Sequence, residues 1–307
     1  MTFHVQPAIL SSHHMKARQT IDAEQGLLDR GLVESSRGGD VERVRVLLSD
    51  GADVHAQDDQ ALCWAAENGH IGVVKLLLDS GADIHVERDF ALCWAAENGH
   101  IGVVKLLLAR GADIHARYDD ALCWSSLSGH PEVVRLLIDR GADLHAQNDN
   151  ALRRAANAGH LDVVELLLDS GADLHAQNDQ AFRWSAENGH IGVMKLLLDR
   201  GADIHVEDGY ALRRAANAGH LDVVKLLLDS GADIHAQNDH ALRCASLNGH
   251  LDVVNLLLDR GADGLAADNL ALRNSAVNGH SDVAMLLVAL VPIWRLGLRL
   301  RRGGKTA

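Results

Sequence analysis

Residues 51–80 read GADVHAQDDQALCWAAENGHIGVVKLLLDS, and this thirty-residue block recurs eight times without a gap from Gly51 to Leu290. A fixed period of this size marks a stack of supersecondary units rather than one globular core. Within the block, Ala61, Leu62, Ala65 and Ala66 fall at helical spacing. Val73, Val74, Leu76, Leu77 and Leu78 make a second, more fully apolar helical run. Asn68-Gly69 and Gly81 supply the left-handed residue on which each helix can end. Pro131 fixes the register, because it fits the first turn of the second helix and leaves His130 at the cap. An acid two places after that histidine, as in Glu132, Asp162 and Asp222, suits the positive helix end.

Helices of about eight to ten residues do not persist alone in water, so each must lean on its neighbour. The expected fold is all-α, a solenoid of stacked helix-turn-helix units. Residues 1–21 are expected as a disordered leader and 22–50 as an N-terminal capping half repeat. Residues 51–290 form the eight repeats, and 291–307 a C-terminal cap with a basic tail.

Composition narrows the function. Aromatic residues make up only 3%, so Ala, Val and Leu must fill the interior. Net charge is −13, and five basic groups beyond residue 290 leave the rest at −18. Such an array repels phosphates, so nucleic acid is not an expected partner. Cys63, Cys93 and Cys123 share one repeat position, too far apart between stacked helices for disulfides, which need Cα atoms within about 7 Å. Reduced thiols fit an intracellular, cytoplasmic protein. No segment is long and apolar enough to span a bilayer.

The stretch ENGHIGVVKLLLDSGADIH (67–85) strongly resembles an ankyrin repeat, and the resemblance covers about residues 31–290. The family's usual unit is 33 residues and opens its first helix with T-P-L-H. Here the unit is thirty, with D-x-A-L-(C/R)-(W/R) in that place. This shorter form, with A-L-R-W-A-A-E-N-G-H, resembles ankyrin arrays of giant DNA viruses and some protists, which implies the host cytoplasm if the chain is viral. The resemblance implies helix pairs joined by short loops or minimal hairpins. It also implies a non-enzymatic protein-binding role, with loop tips and first helices lining a concave face.

Comparison of the blocks separates scaffold from variable positions. The fourth position of the first helix reads Trp64, Trp94, Trp124, Arg154, Trp184, Arg214, Cys244 and Asn274. Three residues on stand Glu67, Glu97, Leu127, Asn157, Glu187, Asn217, Leu247 and Val277, on the same helical face. The position before the helix, read as the loop tip, includes Phe90 and Tyr210, and Tyr118 stands two places before such a position. Trp and Arg are the residues most enriched at binding hot spots. The expected partner-binding residues are Trp64, Trp94, Trp124, Arg154, Trp184, Arg214, Phe90, Tyr118, Tyr210, Glu67 and Glu97. The alternative for the tryptophans is packing between repeats.

No catalytic, cofactor or metal site is expected. Fifteen of nineteen histidines follow the period, seven at the Gly-Ala-Asp-x-His position and eight at the Asn-Gly-His position. Equivalent histidines a repeat apart do not converge on one ion. Gly304-Lys305-Thr306 lacks the earlier glycine of a phosphate loop, Arg299 standing there. The reading is a monomeric scaffold for a partner protein. Two alternatives stay open: an adaptor recruiting substrates to a ubiquitin ligase, a role seen in similar viral arrays, and a scaffold tethered to an acidic membrane by 291–307.

Overall fold

A computed structural model describes the backbone of residues 8–290 and the side chains of 23–290. The cap and membrane contact expected of 291–307, and the first seven residues of the expected leader, lie outside the described residues. From Ala8 the backbone is helical. Among the described residues every element is a helix. The chain divides into two compact units, Met1–Gln147 and Asn148–Ala307.

The first unit opens with helices Ala8–Gly38 and Val41–Ser49. Three repeats follow. Their first helices are Ala56–Glu67, Phe90–Glu97 and Ala116–Ser128, and their second helices Ile71–Asp79, Ile101–Ala109 and Pro131–Asp139. In the second unit the first helices are Asn150–Ala158, Ala176–Glu187, Val206–Ala218, Ala236–Asn248 and Ala266–Val277. The second helices there are Leu161–Asp169, Ile191–Asp199, Leu221–Asp229, Leu251–Asp259 and Ser281–Val288. Within each unit, first helices pack on first helices and second on second.

Both helix ends are chemically defined. At Gly69, φ is +74°, its N–H reaches the carbonyl of Ala66, and that of His70 reaches Ala65. Gly81 and Ala82 repeat the arrangement onto Leu78 and Leu77. This double closure satisfies carbonyls that the helix leaves open. Pro131 does occupy the first turn, with His130 at the cap.

The link into the first helix is a left-handed turn in place of a hairpin. Gln57, Asp58 and Asp59 all have φ between 52° and 57°, and each of the eight repeats carries three such residues in succession. Left-handed backbone costs an ordinary residue about 1–2 kcal/mol, so the surroundings must hold it. A buried aspartate does so. Asp59 is 5% exposed, donates its N–H to the His55 carbonyl, and accepts from His55 Nδ1 through its carboxylate.

The core lies between helix layers. Leu62, Ala65, Ala66, Val73, Val74 and Leu77 have no exposed surface, and their counterparts in the next six repeats are likewise buried; in the last repeat Leu272 and Ala284 are half-buried and Ala276 is exposed. Each buried Leu or Val contributes about 1.5–3 kcal/mol. Alanine and serine hold the tight helix contact throughout, with Ser125 and Ser126 fully enclosed.

Candidate interaction face

Three polar ties fix one repeat on the next and thereby position the variable side chains. The first runs from the buried aspartate. Its Oδ1 accepts the backbone N–H of the aspartate that opens the following repeat: Asp83 on Asp59 at 2.9 Å, and Asp143 on Asp119 at 2.8 Å. The second unit uses the same tie in Asp149–Asp173 and Asp239–Asp263, at 2.7 and 2.8 Å. Gly209 stands at this position in its repeat and has no carboxylate to offer.

The second tie belongs to the Asn-Gly-His histidines. They sit at the cap but make no side-chain cap bond. Instead Nε2–H of His100 donates to the Glu67 carbonyl at 2.8 Å, one repeat back, and His220 does the same to Glu187 at 2.9 Å. The His100 ring lies where a Cβ on Gly69 would be, 2.6 Å from Nδ1. The third tie joins second helices through exposed ion pairs such as Arg110–Asp79 at 2.8 Å and Arg260–Asp229 at 2.7 Å. Each is worth well under about 1 kcal/mol.

On this frame the expected ladder takes shape. Trp64, Trp94, Trp124, Arg154, Trp184 and Arg214 are all half-buried. They neither stand free in solvent nor vanish between repeats. Trp64 and Trp94 pack at 5.6 Å between centroids, and Arg37 covers Trp64 at 4.6 Å. Glu67 and Glu97 are half-buried on the same face, whereas Val277 at the matching position is 85% exposed. Arg214 pairs with Glu187.

The loop-tip assignment changes. The left-handed turn takes up residues 87–89, so Phe90 is the first residue of its helix rather than the tip. Phe90 packs on Trp94 at 4.5 Å and lies beneath Arg117 at 4.8 Å. Tyr210 likewise sits half-buried at the start of its helical turn, just beyond Gly209. The outermost tip falls two residues earlier, where Tyr118 is 78% exposed.

Sequence reasoning missed a group of arginines in the second unit. Arg183 donates from Nε to the Asn178 carbonyl and from Nη2 to that of Gln177, both at 2.9 Å. Arg213 and Arg243 reach the carbonyls of Glu207 and Gln237 in the same way. They brace the left-handed turn, where the first unit has Cys63, Cys93 and Cys123. The signal was visible as an uninterrupted column of arginine from residue 153 to 273.

Electrostatics distinguish a few groups. The Asp59 carboxylate, chiefly through its hydrogen bond, raises the pKa of His55. Burial pushes the thiols of Cys63 and Cys93 up to about 12. No disulfide joins the four cysteines. Among the described residues no group of His, Cys, Asp or Glu converges in a way that could hold a metal ion.

None of the curated proteins matches the chain. The family model for ankyrin repeats, in three copies, matches residues 32–118, 92–178, 122–208, 182–268 and 212–293. With first helices ending on left-handed glycines throughout residues 51–290 and that match running from residue 32 to 293, the chain belongs to the ankyrin repeat family.

Proposed function

We propose that this protein is a non-enzymatic scaffold that binds a partner protein through the face formed by its first helices and left-handed turns. Ankyrin repeats are in general protein–protein interaction modules, which supports the class of function. One observation carries the placement. The residues that build the core and the ties barely change from repeat to repeat, while the half-buried position from Trp64 to Asn274 changes in chemistry. A side chain with one side packed and the other open can anchor a partner at little entropic cost.

In this reading Trp64, Trp94, Trp124 and Trp184 are the anchors, with Phe90, Tyr118 and Tyr210 adding aromatic surface. Arg154, Arg214, Glu67 and Glu97 supply charge. The test is Trp94→Ala combined with Trp124→Ala, assayed against a partner captured from the native cell. Helicity should be retained and affinity should fall by about 2 kcal/mol or more. Undiminished binding would make the ladder a packing feature only.

A further inference from the structure

Residues 1–147 and 148–290 carry the same net charge, −9 each, but distribute it differently. In the first unit the first-helix stretches 60–67, 90–97 and 120–127 hold three acids, Glu67, Glu97 and Asp120, and no base. In the second unit the matching stretches from 150–157 to 270–277 hold seven arginines and one acid, Glu187. The acids of the second unit lie mostly on second helices and in turns, where Asp149, Asp179 and Asp239 are buried and committed to the ties between repeats.

Three of these arginines converge on one ring. The guanidinium carbons of Arg183, Arg213 and Arg214 lie 5.2, 5.6 and 5.7 Å from the centroid of Tyr210. A tyrosine face attracts cations, so the ring gathers three positive groups that would otherwise repel. Glu207 offsets Arg183 at 2.8 Å and Glu187 offsets Arg214. Arg213 has only the neutral Gln237 and a backbone carbonyl, and Arg243 a backbone carbonyl. Nε of Arg213, Arg214 and Arg243 finds no acceptor at all. Donors therefore outnumber acceptors, and cations outnumber carboxylates. His240 registers the excess: its pKa is lowered, first by burial and then by Arg243 and Arg213.

We infer that the face around Tyr210, Arg213, Arg214, Arg243 and His240 takes a carboxylate-rich segment of a partner protein. Guanidinium groups match carboxylates through paired N–H donors. An acidic chain would gain local attraction here and be repelled by the acids elsewhere, which restricts it to this face. The inference rests on the scaffold role proposed above and names the partner's chemistry.

The test uses the full chain and a fluorescein-labelled, glutamate-rich peptide, followed by anisotropy. A single-stranded oligonucleotide of equal charge serves as comparison. The peptide should bind, more weakly as salt rises. Arg214→Gln should weaken it roughly tenfold, because it removes a guanidinium without touching the turn braces. His240→Asp, which adds a carboxylate to the face, should do the same. Lys75→Gln with Lys105→Gln, in second helices of the first unit, should leave binding unchanged. Circular dichroism checks that every variant is folded. Peptide affinity indifferent to both Arg214→Gln and His240→Asp overturns the inference, as does an oligonucleotide that binds equally well. A native partner that depends on Trp94 and Trp124 yet ignores both substitutions overturns it too, while leaving the scaffold role intact.

Discussion

Oδ1 of Asp89 accepts the backbone N–H of Asp113 at 2.9 Å while the same carboxylate accepts from Nδ1 of His85 at 3.1 Å. One buried acid thus closes the left-handed turn of its own repeat and fastens the next repeat onto it. Removing it should uncouple both. Asp89→Ala leaves the Asp113 N–H unmatched and puts an alanine at φ 59°, so stability should fall by about 2–3 kcal/mol. Asp89→Asn keeps an acceptor and tolerates the left-handed backbone, and should cost about half as much. Urea unfolding of both variants checks the order.

The converse applies at Gly209, the one repeat without this acid or its amide. The matching residues of other repeats are six Asp and Asn269, at φ 52–61°. A Cβ here meets Ala236 Cβ at 3.2 Å, and other repeats carry Asp and Ala at the same two positions, as in Asp89 and Ala116. Gly209→Asp should therefore supply the missing bond to Asp233 and raise stability by about 1 kcal/mol, read as a higher urea midpoint.

Glycines at the two helix ends should respond differently. Gly99 has φ +74°, and a Cβ there would lie 2.6 Å from His130 Nδ1, whereas Gly81 has φ +99° with open space around it. Gly99→Ala should cost about 3 kcal/mol from strain plus displacement of the ring, and Gly81→Ala only about 1 from strain. Thermal melting of the pair separates the two contributions.

Because the folded-state pKa of His55 lies above its ordinary 6.5, the protonated form is the one that folding favours. The stabilisation is complete below pH 6.5 and is lost as pH rises through the folded-state value. An NMR titration of His55 should give a midpoint above 6.5, falling back toward it in Asp59→Asn. A midpoint at or below 6.5 in the parent chain would contradict the pairing.

Thiol chemistry offers an independent probe of packing. With pKa values pushed up to about 12 by burial, Cys63 and Cys93 carry almost no thiolate near neutrality. Native alkylation should spare them and reach the half-buried Cys244 first. Unfolding should expose all four, as read by mass spectrometry.

Periodicity made the helices legible, because Gly69, Gly81 and Pro131 each act through local backbone chemistry that a sequence displays directly. The left-handed turn was not legible. Gln57, Asp58 and Asp59 carry no glycine to announce positive φ, and the conformation is held by a buried carboxylate that joins His55 of its own repeat to the Asp83 N–H of the next. The same limit hid the reach of His100 to Glu67 and the brace from Arg213 to Glu207, since contacts thirty residues away or across a turn leave only a residue type behind. Placing Phe90 at the tip followed from missing that turn. The column from Trp64 to Asn274 could be read from helical spacing alone, but its half-buried state depends on how far apart the first helices stand.

The central claim is that polar ties recurring from repeat to repeat hold the array while the variable first-helix face meets the partner. Hydrogen–deuterium exchange of the chain with and without a captured partner tests it most directly. New protection should fall on the first helices, including 90–97 and 210–218, and on the left-handed turns before them, 87–89 and 207–209. Protection confined to second helices such as Ile101–Ala109 and Leu221–Asp229 would contradict the account.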